Sequence, residues 1–271
     1  MFDEWMVSIL ARPGSDEGVL HEESGLRYEE SGDYVPLVNG VPTFRVDGEE
    51  VKIMDPDHES NSWSAEVRDL FADPARDVLN IGAGSTPERF PRCVEMEYTV
   101  FRHTSVVGDA HHLPFRSNSF DVVVSLNTFE HLRDPQRAAA EIYRVLRPGG
   151  EVFIHSAFLQ PLHEAPHHYY NATEFGIRNW FTEFTIDSCQ VSKNFSPEYA
   201  LGMQMIDLIH VVQEELGEEA AGILASTTLG NVAQFWAGRH DQPFVEVLQQ
   251  LPESAKRPFA AGFELKGRKQ V

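Results

Sequence analysis

The chain has 271 residues, 42% of them hydrophobic, which suits one large domain with a small appendage and a full core. Its net charge of −20 and the lack of any basic tract argue against a nucleic-acid partner, which needs a positive footprint to displace counterions. Two cysteines and only short, interrupted apolar runs lead us to expect a reducing, cytoplasmic setting with no signal peptide and no membrane span.

The charge is uneven: residues 1–75 hold 18 acids against 5 bases, a balance of −13 that leaves −7 for the rest. Residues 1–48 read as a small β module with few apolar anchors, Leu20, Val35, Leu37, Val41 and Phe44. So small a unit buries too little to stand alone and should pack on the main domain. Residues 49–75 read as linker and helix, and residues 76–271 as the main domain.

That domain opens with Val78-Leu-Asn-Ile81, which, like Val122-Val-Val-Ser125, is a short β-branched run expected for a strand buried on both faces. Gly82 and Gly84 follow the first run, and without side chains they allow a sharp turn and close approach to a ligand. No third glycine follows, and Ser85-Thr-Pro-Glu-Arg-Phe-Pro91 carries two prolines. A dinucleotide site is therefore disfavoured, and the first helix shrinks to one turn or none. Cys93-Val-Glu-Met-Glu97 supplies a second strand that ends in an acid.

Between Asp134 and Arg147, Ala138, Ile142, Val145 and Leu146 recur at helical spacing. Pro148-Gly-Gly150 is expected to end that helix before Glu151-Val-Phe-Ile154 resumes as strand. Strands alternating with helices predict an α/β fold with a doubly wound, mostly parallel sheet, its ligand beyond the carboxyl ends of the strands.

His155, His163, His167 and His168, with Tyr169 and Tyr170, then form a segment placed to act as a lid. Their spacing matches no carboxylate-supported site, so no metal is expected. Phe184–Ser192 and Phe259–Gly267 fit the last two strands, and Cys93 and Cys189 read as core residues of strands. Residues 197–254 read as a helical insertion with Met203, Ile206, Leu208, Ile209, Val212 and Leu216 on one buried face. It serves either as a pocket cover or as a homodimer contact.

In order and spacing, Asp77–Ser85, Gly108-Asp-Ala-His-His-Leu-Pro-Phe115, Ser119–Ser125, Glu130-His131 and Arg144–Ile154 resemble the class I S-adenosylmethionine-dependent methyltransferases, small-molecule branch. The resemblance covers roughly residues 76–193. It implies a seven-stranded Rossmann-like sheet and S-adenosyl-L-methionine as cofactor, with S-adenosylhomocysteine as product. Implied cofactor contacts are Asn80, Gly82, Ala83 and Gly84 at the turn, with Glu97 on the ribose hydroxyls and Glu95 as the competing acid. Asp109 and Ala110 would read the adenine, Leu113 and Phe115 cover it, and Asn127 meet the methionine end.

His131 and His155 are candidate general bases, against the plainer reading of packing or capping residues. His163, His168 and Tyr170 are candidate acceptor contacts. The string His168–Gly176 resembles a lid segment in bacterial methyltransferases linked to sugar modification. The implied activity is methyl transfer to a small-molecule or saccharide acceptor at oxygen; the alternative is a non-catalytic S-adenosylmethionine-binding partner or scaffold.

Within the N-terminal module, Gly32–Phe44 is similar to the C-terminal half of small zinc-ribbon modules, which precede methyltransferase domains or bind them as activators. Such ribbons hold zinc with two Cys-x-x-Cys pairs. At the matching places stand Arg12 with Ser15 and Tyr28 with Ser31, so the resemblance implies a ribbon without its metal. An unrelated β-hairpin extension is the alternative.

Overall fold

The computed structural model describes residues 2–45, 47–58, 60, 63–192 and 195–261. The chain divides into two compact units, Met1–Phe158 with Tyr169–Cys189, and Leu159–His168 with Gln190–Val271.

The first unit begins with α1 (Glu4–Ile9), capped by Asp3, whose carboxylate accepts the Met6 N–H at 3.0 Å. Two antiparallel hairpins follow, β1 (Val19–Glu22) with β2 (Gly25–Tyr28) and β3 (Leu37–Val38) with β4 (Val41–Pro42). Next come α2 (Ala65–Ala72), β5 (Val78–Ile81), β6 (Cys93–Glu97), β7 (Val106–Val107), β8 (Phe120–Leu126), α3 (Pro135–Val145), β9 (Leu146–His155) and α4 (Glu174–Trp180). The central sheet runs β7-β6-β5-β8-β9 with every pair parallel. Strand order therefore reverses at β5, the place where open α/β sheets receive ligands.

Each of the four β5 residues is buried, as a strand covered on both faces requires. One face packs on α3, where Ala138, Ile142 and Val145 are buried behind an Asp134 cap. The other packs on α2 through Val67 and Phe71. No helix forms between β5 and β6, as the two prolines predict. Trp63, Phe71 and Phe90 fill that space instead, their ring centroids 4.8–5.9 Å apart. At the amino ends of the strands, buried Asp77 pairs with Arg92 and with Arg147, and Arg147 also holds Asp121.

Several expectations need correction. The sheet has five strands among the described residues, not seven. Phe184–Ser192 is irregular; Phe184 and Ile186 are half-buried by side-chain packing on the core, with Phe184 against Tyr143 and Phe181, and their backbone joins no ladder among the described residues. Cys189 accordingly lies outside any strand. Of the other expected strand, Phe259 closes a short 3-10 turn, and residues 262–267 lie outside the described residues.

Pro148-Gly-Gly150 does not separate α3 from β9; it lies inside β9. Pairing jumps from Phe120–Leu146 to Val122–Glu151, a bulge made by Gly149 at φ 82° on a strand that is an edge of the sheet among the described residues, where proline is tolerated.

The N-terminal module is built onto this sheet. Leu10 bridges Phe115, with Ala11 N–H donating to the Pro114 carbonyl at 3.0 Å and Arg116 N–H to that of Ile9 at 2.8 Å. Thr43 bridges Val107 in parallel, and Phe44 N–H donates to the Val107 carbonyl at 2.8 Å. Leu10, Leu26, Tyr28, Val35 and Phe44 share one core with Leu79 and Phe115. Leu20 and Leu37, expected as anchors, are exposed, because Val19 and Leu26 take the inward positions of the first hairpin.

The second unit is helical: α5 (Pro197–Leu216), α6 (Glu218–Ala225), α7 (Leu229–Trp236), α8 (Pro243–Gln250) and α9 (Glu253–Lys256). Gly217 at φ 90° lets α5 end and α6 begin at once. Val212, Ala221, Leu224, Phe244, Val247 and Leu251 form its core, with Leu208, Ile209 and Leu216 packed against them. Ile206 departs from the expected buried face and is exposed. No helix among the described residues is long and apolar enough to cross a membrane.

Candidate cofactor site

The carboxyl end of β5 leads into a turn that only glycine serves well. Gly82 and Gly84 sit at φ 65° and 66°. A Cβ on Gly82 would lie 2.0 Å from the Thr128 hydroxyl, which itself approaches the carbonyls of Ile81 at 3.4 Å and Leu126 at 3.3 Å. The turn is thus pressed against the chain that leaves β8.

Glu97 closes the other side. Its carboxylate accepts the Gly84 N–H at 2.6 Å and the Tyr98 N–H at 2.9 Å. Burial pushes this carboxyl up from the usual range, and the two N–H groups draw it partly back. Glu95 is a different acid in a different place. It is 3% exposed, accepts the Thr86 hydroxyl at 2.7 Å, and is pushed up to about 7 by burial. Thr86 also meets His103 Nδ1 at 3.1 Å, while Arg102 donates to the Thr86 carbonyl and Arg89 to that of His103. The helix-free stretch after the glycine turn is therefore knitted to the chain after β6, with Glu95 beneath it.

Asp109 follows β7 and is half-buried. One oxygen accepts the His111 N–H at 2.9 Å and lies 2.6 Å from His111 Nδ1; the other is 3.9 Å from His112 Nδ1. Burial raises this carboxyl, but the His111 bonds outweigh it and hold it below the ordinary range. His111 Nε2 accepts the Asp134 N–H at 3.2 Å, which fixes its proton on Nδ1, toward Asp109. Ala110 is buried beside it, and Leu113 and Phe115 lie deep in the main core, with Leu113 N–H donating to Glu141 at 2.8 Å.

Asn80 is buried within β5 and Ala83 within the turn. Asn127, just beyond β8, stands at φ 53°, its N–H donating to the His155 carbonyl at 3.1 Å. Three buried oxygens at these strand ends have no hydrogen-bond partner among the described residues: Ser85 Oγ, Ser125 Oγ and Asn127 Oδ1. Buried polar groups are seldom left so, and such orphans suit a ligand rich in donors and acceptors.

His131 ends a 3-10 turn over Phe129–His131, its N–H on the Thr128 carbonyl at 2.9 Å. His155 ends β9 beside the Phe153 ring, and burial lowers its pKa, favouring the neutral imidazole. Tyr170 belongs to the same unit; its hydroxyl donates to the Arg133 carbonyl at 3.0 Å, and its ring is 5.6 Å from that of Trp180. His163 and His168 belong to the second unit, where His163 N–H donates to His168 Nδ1 at 3.2 Å.

Sequence reasoning passed over His111, Thr86, His103 and Tyr98. The spacing Asp109-x-His111 fits a turn in which the imidazole folds back on the carboxylate, and that spacing is the signal that was available.

Residues 88–154 match the family described as a methyltransferase domain. A demethylmenaquinone methyltransferase of Streptomyces avermitilis is 30% identical over 109 residues, covering 34% of this chain and 47% of that protein. A malonyl-[acyl-carrier protein] O-methyltransferase of Geobacter sulfurreducens is 36% identical over 105 residues, covering 30% and 39%. The solved phosphoethanolamine N-methyltransferase 2 of Haemonchus contortus, in complex with S-adenosyl-L-methionine, aligns with a TM-score of 0.37 at 19% identity, covering 59% of this chain and 43% of that one. The chain spans less than half the length of the two curated relatives. The segment that matches the methyltransferase-domain family contains Glu97, Asp109, Asn127 and His131.

Proposed function

We propose that this protein transfers the methyl group of S-adenosylmethionine to an oxygen of a small, sugar-like acceptor. One observation supports the cofactor reading above the others. At the carboxyl ends of β5 and β6, the Gly84 backbone and the Glu97 carboxylate meet, while the ends of β5 and β8 carry three buried oxygens without partners among the described residues. Glu97 retains lone pairs beyond the two it has committed, so it is able to take both ribose hydroxyls in charge-assisted bonds. Asp109 offers the oxygen not engaged by His111 to the adenine amine, and the Ala110 N–H serves the ring. Asn127 Oδ1 accepts from the ammonium of the methionine end.

A bound S-adenosylmethionine supplies an electrophilic methyl on a sulfonium. The acceptor oxygen would take that methyl as the carbon–sulfur bond breaks, and the acceptor's proton would pass to a base. His131 and His155 are the candidate bases, and His155 is held neutral, as a base must be. The departing thioether is neutral, so no oxyanion hole is called for. Alignment of the two reactants is the protein's main contribution.

A quinone-type acceptor methylated at carbon is the second reading, favoured by the demethylmenaquinone methyltransferase among the relatives. Incubation with radiolabelled methyl donor and separate saccharide and quinol pools tests both. Label on a saccharide oxygen is the expected result. Label on a quinol carbon overturns the oxygen assignment, and cofactor binding without transfer to any pool favours a scaffold role.

A further inference from the structure

The four positions that the ribbon resemblance matches to zinc ligands, Arg12, Ser15, Tyr28 and Ser31, are tied together through Arg12, and none is a ligand for zinc. Two tight turns face each other. In the first, Arg12 N–H donates to the Glu17 carbonyl at 2.8 Å, and Ser15 N–H to the Arg12 carbonyl at 3.0 Å. In the second, Tyr28 N–H donates to the Asp33 carbonyl at 2.9 Å, and Gly32 N–H to the Tyr28 carbonyl at 3.2 Å.

The Arg12 guanidinium crosses between them. Its carbon lies 3.8 Å over the Tyr28 ring, and it donates to Ser31 Oγ at 2.5 Å, to Glu17 at 2.5 Å and to Asp33 at 3.3 Å. The second Glu17 oxygen accepts the N–H groups of Glu30 at 3.0 Å and Ser31 at 2.7 Å. Bonds from the turn's own N–H groups, Ser31 first, hold this carboxyl below its ordinary range. A cation at the centre, with an anion accepting the amides of the opposite turn, is the charge pattern of a metal with its thiolates. The donor set itself, a guanidinium, two hydroxyls and a phenol, does not fit zinc, which takes thiolate, imidazole or carboxylate.

What the knot ties down is not isolated. Leaving the first turn backward, the chain pairs with Leu113–Arg116 through Leu10 and Ala11. Leaving the second turn forward, it reaches Val107 through Thr43 and Phe44, and then Tyr98 through Arg45. The Arg45 guanidinium lies 3.6 Å over the Tyr98 ring and donates to the Tyr98 carbonyl at 3.0 Å. Asp109 lies between the two attachments at Val107 and Pro114, and Glu97 is the neighbour of Tyr98.

We propose that Arg12 stands where a zinc ribbon keeps its metal, and that the module it closes is a permanent brace for the chain carrying Glu97 and Asp109. Arg12 is a positioning residue in this scheme and touches no ligand. The bracing half rests on the cofactor reading above; the knot half does not.

The test compares the wild type, Arg12→Ala, Arg12→Lys and a variant carrying Arg12→Cys, Ser15→Cys, Tyr28→Cys and Ser31→Cys. Metal content is read with zinc and with cobalt(II), and S-adenosylhomocysteine affinity by calorimetry. The wild type should take up no zinc, and the four-cysteine chain one ion per chain with a tetrahedral thiolate spectrum in cobalt(II). Arg12→Ala should lower cofactor affinity roughly tenfold, on the scale of ordinary coupling between sites. Lysine keeps the charge without the planar fork and should recover little of the loss. Zinc should restore affinity in the four-cysteine variant and a chelator should remove it, with no effect of either on the wild type.

A four-cysteine chain that folds without taking metal, or that fails to fold even with zinc, overturns the knot. Arg12→Ala binding the cofactor as the wild type does overturns the brace. If the wild type binds no S-adenosylhomocysteine at all, the cofactor reading and the brace fall together, while metal uptake by the four-cysteine variant still decides the knot.

Discussion

The edge of the sheet proposed for the cofactor and the residues proposed for the acceptor are made of different material. At the cofactor edge the polar groups are tied to backbone or to one another: Glu97 to the Gly84 and Tyr98 N–H groups, Asp109 to His111, Glu95 to Thr86. Of the residues proposed for the acceptor reaction within the first unit, His131 comes from a three-residue turn and Tyr170 from a stretch hung on the Glu130 carbonyl. Strand ends and turns fix a site's shared chemistry; loops and added helices vary its acceptor.

The largest expected effect removes what replaces the missing helix at the cofactor edge. Phe71→Ala takes the 2% exposed ring from the cluster with Trp63 and Phe90 and should cost about 3–5 kcal/mol in urea denaturation. A loss below about 0.5 kcal/mol, the range of surface substitutions, would mean that this cluster does not support the edge.

Glu95 gives the next largest. Its folded pKa, about 7, is raised above the ordinary 4.5, so the folded state holds its proton more tightly than the unfolded chain. Its contribution to stability is greatest below pH 4.5 and is lost as pH rises through 7, for a total on the order of 3 kcal/mol. Glu95→Gln should flatten this part of the stability profile; identical profiles for variant and wild type would refute the buried-acid assignment.

At Glu97 a smaller change is expected, in binding: Glu97→Ala should weaken S-adenosylmethionine by roughly 1–3 kcal/mol. Unchanged affinity would remove the ribose role from Glu97. The smallest effect on binding belongs to the acceptor side, where His131→Ala should leave cofactor affinity intact and slow turnover. An unaltered rate would reduce His131 to a packing residue.

The same contrast governs what was legible in the sequence. Val78–Ile81, the glycine turn and Glu97 lie within 20 residues, and their meaning follows from strand periodicity and the conformational needs of glycine, which are local. The absence of a first helix was legible from two prolines. The aromatic cluster that covers for it was not, because Trp63 and Phe71 come from a segment whose destination depends on tertiary packing. Pro148-Gly-Gly150 looked like a helix stop and proved to be a bulge inside β9, since the partner strand determines which reading holds. Phe184–Ser192 has the composition of a strand, but Phe184 and Ile186 satisfy their burial by packing without backbone pairing. Arg12 was legible only as a lost ligand; its role depends on Glu17, Tyr28 and Ser31, which only the folded turns bring to it.

A crystal structure grown with S-adenosylhomocysteine tests the central claim most directly. The ribose hydroxyls should lie on the Glu97 carboxylate and the adenine amine on Asp109, with the glycine turn against the ligand. A ligand bound elsewhere on the protein, with Glu97 and Asp109 still holding only their own chain, would contradict the assignment of this edge as the cofactor site.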